Sequence, residues 1–324
     1  MNRRLLAAVA IAGMVVAPAA HSEDAAPYPA RPIRVISPST AGSPGDLVAR
    51  VINDRLAAAL GQPVVVDNRP GATGIIGLNT VAKSAADGYT LGVMSMPHVV
   101  VPNLVSKMPF DTEADLAAVA LVAWSYNVLT VPASSRLNSL ADVIAAAKAK
   151  PGAVKYSSGG NGTPSHLAGE LLRREASVDI THVPYKGGAL AVLAAVSGEV
   201  EFVVGPIGPL SSHVKSGRLR ALATSSPQRI AAYPELPTFV ELGYPGVHMR
   251  DWQGFVAPAR TPANVIARLH GEIAKITALP EVKQRIESLG LEPAAMGPKE
   301  FEVHLRSEFR KWGKLVRDAG IKAD

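Results

Sequence analysis

The sequence predicts an α/β protein of two lobes with a ligand cleft between them. Three observations predict it. Short runs rich in β-branched residues alternate with helical patterns, which argues for parallel strands with helices on their faces. The alternation occurs twice, once between Ile33 and Met94 and again between Val128 and Thr224. The chain then ends in three helical patterns that need a sheet to cover. The economical arrangement lays those helices back on the first sheet. The second series becomes an insertion, joined by two crossings near Asn127 and Met249. Lobe one takes residues 27–127 plus 250–324, and lobe two residues 128–249. Two lobes with two crossings form a cleft that opens and closes about a hinge.

The elements follow in order. Ile33 to Ser37 reads as a strand. Leu47, Val48, Val51, Ile52, Leu56 and Leu60 recur at helical spacing, and Gly61 ends that helix. Val64-Val65-Val66 is a buried-strand type, Ile75 to Lys83 is helical, and Asp87-Gly88 turns into a strand at Thr90 to Met94. In the second series Val128 to Val131 is a strand, and Ser139 caps a helix from Leu140 to Lys148. Strands follow at Val154 to Ser157, Ile180 to Val183, Val200 to Val204 and Leu219 to Thr224. Helices lie at Pro164 to Arg174 and Gly188 to Ser197. Ser226 to Gly246 is turn-rich, with one helical piece at Thr238 to Leu242. Trp252 to Ala257 is a strand. The last helix, Pro298 to Ala319, carries Phe301, Leu305, Phe309, Trp312 and Val316 as a core stripe.

Composition narrows the function. Met1 to about Ser22 reads as a cleaved secretory signal: Arg3 and Arg4, an apolar run from Leu5 to Ala17, then small-residue cleavage sites. The expected mature protein is therefore exported. The chain has no cysteine, so it has neither a disulfide nor a thiol nucleophile. Removing Arg3 and Arg4 takes the formal charge from +6 to +4. The remaining basic residues are scattered, which argues against a nucleic-acid partner.

Two stretches carry the chemistry. In "SSGGNGTPSH", Thr163 is a good N-cap and Pro164 suits the first helical position. In "STAGSPGD", Ser43, Pro44 and Asp46 repeat the device. Each stretch is a small-residue loop between a strand and a helix start, where backbone N–H groups and the helix dipole favour an anion. One such start per lobe would grip a carboxylate across the cleft. The plain alternative is a pair of ordinary capped loops, with Asp46 a capping carboxylate.

Enzyme motifs are weak. "AGSPG" has the wrong spacing for a nucleophile elbow, and Ser43, Ser158 and Ser165 have no recognisable base nearby in sequence. His166 and Glu170 share a helix face, yet there is no H-E-x-x-H. "GATGIIG" has glycine spacing unlike a dinucleotide fingerprint. His98 and His182 are expected to be hydrogen-bonded structural residues.

The sequence resembles the Bug family, the periplasmic solute-binding receptors of tripartite tricarboxylate transporters. The resemblance runs through "YPARPIRVISPSTAGSPGDLVARVINDRLAAALGQPVVVDNRPGATGIIGLNTVAKSAADGYTLGVM", "THVPYKGGALAVLAAVSGEVEF", "GRLRALATSS", "PELPTFVELG" and "KWGKLVRDAGIK". It implies a type II periplasmic-binding-protein fold and a small carboxylated solute held through backbone amides and waters. It implies a monomeric binding protein, not an enzyme, with no cofactor and no metal, partnered by integral-membrane permease subunits. Carried over by position, lobe one offers Thr40, Ala41, Gly42 and Ser43, with Asp46 alongside, and Ser95 with Met96. Lobe two offers Ser158, Gly160, Asn161, Gly162 and Thr163, with Tyr185 and Lys186 nearby. Gly205 stands where the family often has an acidic residue, which weakens the case for an amino-acid ligand. Gly42-Ser43 replaces the usual glycine pair, and Arg260 the usual glycine after "APA". A ligand-presenting subunit for a membrane sensor, or a secreted serine hydrolase using Ser43 or Ser158, are the alternatives.

Overall fold

The computed structural model describes residues 28–230 and 233–321. The expected export signal and its cleavage site lie outside them. Lobe one opens as β1 (Ile33–Ser37), α1 (Pro44–Leu60), β2 (Val64–Asn68), α2 (Ile75–Ala82), β3 (Thr90–Ser95) and α3 (Pro97–Val100). A long strand, β4 (Leu116–Pro132), then leads into α4 (Leu140–Ala149), β5 (Lys155–Ser158), α5 (Pro164–Glu175) and β6 (Thr181–Pro184). Next come α6 (Gly188–Ser197), β7 (Phe202–Pro206), α7 (Ile207–Lys215) and β8 (Leu219–Thr224). The chain returns as β9 (Arg250–Pro258), α8 (Ala263–Ala278), α9 (Pro280–Ser288), β10 (Glu292–Met296) and α10 (Pro298–Ala319).

The strands run in the order β2-β1-β3-β9-β4-β7-β5-β6, with β8 and β10 also pairing β4. The outer strands of each lobe pair in parallel, as the alternation predicts. The centre is antiparallel, which the sequence reading did not anticipate. A chain that leaves one lobe and later returns must cross in opposite directions, so β4 and β9 cannot be parallel. β4 pairs β9 from Leu116 to Tyr126, then β7 and β8 from Asn127 to Pro132. One strand thus belongs to both sheets.

Only Val128 to Val131 of β4 is legible as a strand in the sequence. Its first half is alanine-rich and weak in β propensity. That half is extended because β9 and β10 pair it on both edges. Val64 to Val66, read as buried, forms an edge strand with Val65 54% exposed. The piece at Thr238 to Leu242 is a single turn rather than a helix. Thr238 Oγ1 accepts the Glu241 N–H at 3.0 Å, and Glu241 Oε2 accepts the Thr238 N–H at 2.8 Å. α7 and β10 are additions that sequence patterning missed.

The two crossings are tied by Ser225. Its N–H donates to Asn127 O at 2.8 Å, and its Oγ accepts the Asn127 N–H at 3.0 Å. The same Oγ donates to Met249 O at 2.8 Å, while the Met249 N–H donates to Ser225 O at 3.0 Å.

α10 lies on lobe one, as its apolar stripe requires. Phe301, Trp312 and Val316 are buried there beside Trp252 and Trp124, and Phe309 is partly buried. Each such large side chain contributes about 1.5–3 kcal/mol of burial. Glu308 Oε2 accepts the indole N–H of Trp312 at 2.6 Å, which keeps this apolar patch satisfied. α8 and α9 cover the opposite face with α1.

Candidate functional site

The first loop runs from Ser37, at the end of β1, to Ser43. Ser43 has extended backbone, and its Oγ accepts the Asp46 N–H at 3.4 Å, so it caps α1. Gly42 turns the loop with φ +83°, a region glycine adopts without penalty. Asp46 is buried beneath it. Its carboxylate accepts the Gly42 N–H at 2.9 Å, Asn68 Nδ2 at 2.8 Å and Arg50 Nε at 3.1 Å. Burial pushes its pKa up, but the bonds from Arg50, Gly42 and Asn68 outweigh that and hold it below the usual carboxylate range. Asp46 thus shapes the loop from behind.

The second loop follows β5. Ser158 Oγ accepts the Gly160 N–H and donates to Gly160 O, both at 3.1 Å, and lies 2.6 Å from His182 Nε2. The His182 ring stacks on His166 at 3.9 Å between centroids. The Gly162 N–H donates to His166 Nδ1 at 3.1 Å, and Thr163 Oγ1 donates to Gly160 O at 2.7 Å. Thr163 also caps α5 through the His166 N–H. The amides of Gly160 and Gly162 are therefore engaged within the loop. Gly162 presses against lobe one, where a Cβ would meet Leu104 Cδ1 at 2.3 Å.

Ser95 ends β3, and Met96 follows it before α3. The Ser95 N–H donates to His98 Nδ1 at 2.9 Å, and the Met96 N–H to Asp251 Oδ1 at 3.2 Å. His98 is buried, which pushes its pKa down to about 4, so it accepts as a neutral ring. Burial pushes the Asp251 carboxyl up to about 7, against the opposing N–H groups of Trp252 and Met96.

A cavity of about 830 Å³ lies between the lobes. From lobe one it is lined by Thr40 to Pro44 and Leu47, and by the stretch Ser288 to Leu291. From lobe two come Ser165, then Gly188 and Ala189, then Gly205 and Pro206, then residues of α7 from Gly208 to Lys215. The starts of α1, α5, α6 and α7 all reach this one space. Four positive dipole ends there favour an anion. Lys215 is the one charged side chain on the wall among the described residues.

The helix starts differ in one respect. Ser43 and Thr163 cap α1 and α5, and each cap occupies an N–H. No side chain caps α6 or α7. An uncapped start keeps its N–H groups for a ligand. Sequence reasoning favoured the capped starts because Ser and Thr are visible cap signals. The informative signal was the opposite one, glycine and proline without a capping side chain in "KGGAL" and "GPIGPL".

Of the residues named from sequence, Thr40, Ala41, Gly42, Ser43 and Gly205 stand on the cavity wall. Asp46, Ser95, Met96, Ser158, Gly160, Asn161, Gly162 and Thr163 lie off it. Tyr185 and Lys186 also lie off it, and Tyr185 OH donates to Glu199 Oε1 at 2.7 Å. Gly205 has room for a side chain, since its Cβ would lie 3.5 Å from Leu210 Cδ1 and 3.8 Å from Ser165 Oγ. Ser165, Gly188, Ala189, Gly208, Ser211, Ser212 and Lys215 are wall residues that sequence reasoning did not select. Glu170, weighed with His166 as a metal pair, instead binds Arg173 at 2.8 Å and accepts from Tyr156 OH at 3.3 Å.

Comparison with known proteins gives the family and the fold. The profile of the tripartite tricarboxylate transporter family receptor matches residues 48–321. Protein BugT of Bordetella pertussis is 36% identical over 318 residues, covering 97% of this chain and 98% of that protein. An R. palustris protein solved with adipate has a TM-score of 0.84 at 31% identity, covering 92% of this chain and 100% of that one. The periplasmic binding protein BugD has a TM-score of 0.81 at 28% identity, with the same coverage.

Proposed function

The chain belongs to the tripartite tricarboxylate transporter receptor family, and on that premise we propose that it captures a small organic carboxylate by closing its lobes around the cavity. The observation that carries this reading is the electrostatic character of the cavity. Four helix starts and one lysine face it, and among the described residues no acidic side chain does. An anion gains from every one of these groups. An ammonium finds no carboxylate there, so an amino acid is the poorer guest. The adipate in the R. palustris relative is a guest of the expected kind.

In this reading lobe one is residues 27–127 plus 250–324, lobe two is residues 128–249, and Ser225 sits at the hinge between them. The protein works as a monomer in the periplasm, exported by a signal removed near Ser22, and hands its ligand to integral-membrane permease subunits. Recognition is by backbone N–H groups and small hydroxyls, with Ser43 and Ser165 among them. Asp46, and Ser158 with Gly160 to Thr163, hold the two loops in shape.

A hydrolase reading draws on one contact, the 2.6 Å between Ser158 Oγ and His182 Nε2. Ser158 is fully buried, its hydroxyl is bound on both sides to Gly160, and it is off the cavity wall. A nucleophile needs access to its substrate, so this pair is better read as holding the loop.

The test is a thermal-shift screen on protein stripped of ligand by unfolding and refolding. A ligand at 100 times its Kd adds about 2.7 kcal/mol of stability. Carboxylates are expected to raise Tm and amino acids to do so less. No shift with any carboxylate overturns the reading, and so does release of alcohol from a carboxylic ester.

A further inference from the structure

We propose that capture of a carboxylate is linked to proton uptake, with Asp251 as the group that takes the proton from solvent. The inference rests on the carboxylate reading of the cavity and adds its regulation. Ser125 of β4 is a wall residue, and Asp251 of β9 stands directly opposite it in the antiparallel ladder. Directly opposite residues share a face of the sheet. Gln253, two residues further along β9, shares that face as well. A Cβ on Gly45, in the first turn of α1, would lie 3.0 Å from Gln253 Oε1. The face that bears Asp251 is thus the one that supports the cavity and the start of α1.

Asp251 is buried, and its Oδ1 accepts the N–H groups of Trp252 at 2.8 Å and Met96 at 3.2 Å. No cation pairs with it among the described residues. From α10, Glu308 is a second buried carboxylate, and it repels Asp251. His304 of α10 packs edge-on against Trp124 and Trp252, and burial holds it below the ordinary histidine range. Burial does the same for His98 of α3 and His248 of the crossing. Arg250 binds Glu292 and covers the Trp124 ring, and Lys311 covers Trp312. An uncompensated buried carboxylate titrates far above the ordinary range, and here it does so at about pH 7. An anion seated in the cavity adds a like charge on the same side of the sheet. Like charges about 12 Å apart at an effective dielectric of 20 disfavour one another by about tenfold. The bound state therefore holds more protons than the free one, and affinity rises as pH falls through the neutral range.

Calorimetry on refolded protein tests this with acetate, glutarate and adipate as probes. Titrations in HEPES and in Tris, whose ionisation enthalpies differ, give the protons taken up per ligand. Wild type is expected to take up a few tenths of a proton at pH 7 and to bind about fivefold more tightly at pH 6 than at pH 8. Asp251→Asn keeps an oxygen for the Met96 and Trp252 N–H groups and cannot titrate. It should take up no proton and bind at pH 8 as tightly as wild type does at pH 6. Glu308→Gln removes the neighbouring like charge and should move the pH of largest uptake downwards. Binding without proton uptake in wild type overturns the proposal and leaves the carboxylate reading intact. Undiminished uptake in Asp251→Asn overturns it as well. If Asp251→Asn does not fold, an unmoved profile in Glu308→Gln overturns it. No binding of any probe, with no shift in the wider carboxylate screen, overturns both.

Discussion

Gly208 of α7 and Gly290, beside β10, meet backbone to backbone across the two lobes. A Cβ on Gly290 would lie 3.1 Å from Gly208 N and 3.2 Å from its Cα. A Cβ on Gly208 would lie 2.8 Å from Leu289 O. The contact closes one side of the cavity, and no side chain fits in it. Gly208→Ala is therefore expected to hold the lobes apart. Small-angle scattering should show a larger radius of gyration in the presence of ligand, and calorimetry a weaker Kd. Gly290 also has φ +76°, so Gly290→Ala adds about 1–2 kcal/mol of backbone strain. An unchanged radius in both variants would show that the lobes do not need this contact.

Ser225 ties the two crossings together. Ser225→Ala removes the acceptor of the Asn127 N–H and the donor to Met249 O, both in a buried setting. A buried N–H left without a partner costs about 1–3 kcal/mol. Urea denaturation should show that loss as a lower midpoint with an unchanged slope. A midpoint equal to wild type would mean that the crossings are held by β-pairing alone.

Asp46 sets a pH limit. Its pKa in the folded protein lies below the ordinary value, with the Arg50, Gly42 and Asn68 bonds outweighing burial. The stabilisation it gives is complete above about pH 4, the unfolded value, and is lost as pH falls through the lower folded value. Asp46→Asn should be less stable than wild type at pH 7. The gap should narrow as pH drops below about 4. A gap constant with pH would remove the charge from the explanation.

Gly205 is the place to reverse the sign of the cavity. A Cβ fits there, and the position faces the wall formed by Ser165 and Leu210. Gly205→Asp puts a negative charge on the cavity wall, and two like charges about 6 Å apart repel by about 2–3 kcal/mol at an effective dielectric of 20. Carboxylate affinity should fall on the order of a hundredfold, and Gly205→Asn should lose much less. Equal losses in both variants would indicate crowding rather than charge.

The sequence made some elements legible and hid others, for local reasons. Ser139 announced α4, and in the structure Asp142 joins it to complete a capping box. Gly61 marked the end of α1 with a left-handed residue. The stripe from Phe301 to Val316 marked α10 and its buried face. These signals sit within a few residues of the structure they specify. The first half of β4 had no such signal, because Leu116 to Ala123 is extended by partners more than a hundred residues away.

The site divides the same way. The sequence by itself determined that small-residue loops precede helices in both lobes, that Ser43 and Thr163 cap them, and that Gly205 leaves no acid at its position. These follow from side-chain chemistry acting on neighbouring backbone. Only the tertiary structure decided which groups share a cavity. Lys215, Ser165 and the starts of α6 and α7 line the same cavity as the first loop because β4 carries two sheets and fixes how the lobes face each other. Residues brought together across that strand are distant in sequence, and no local pattern records their meeting.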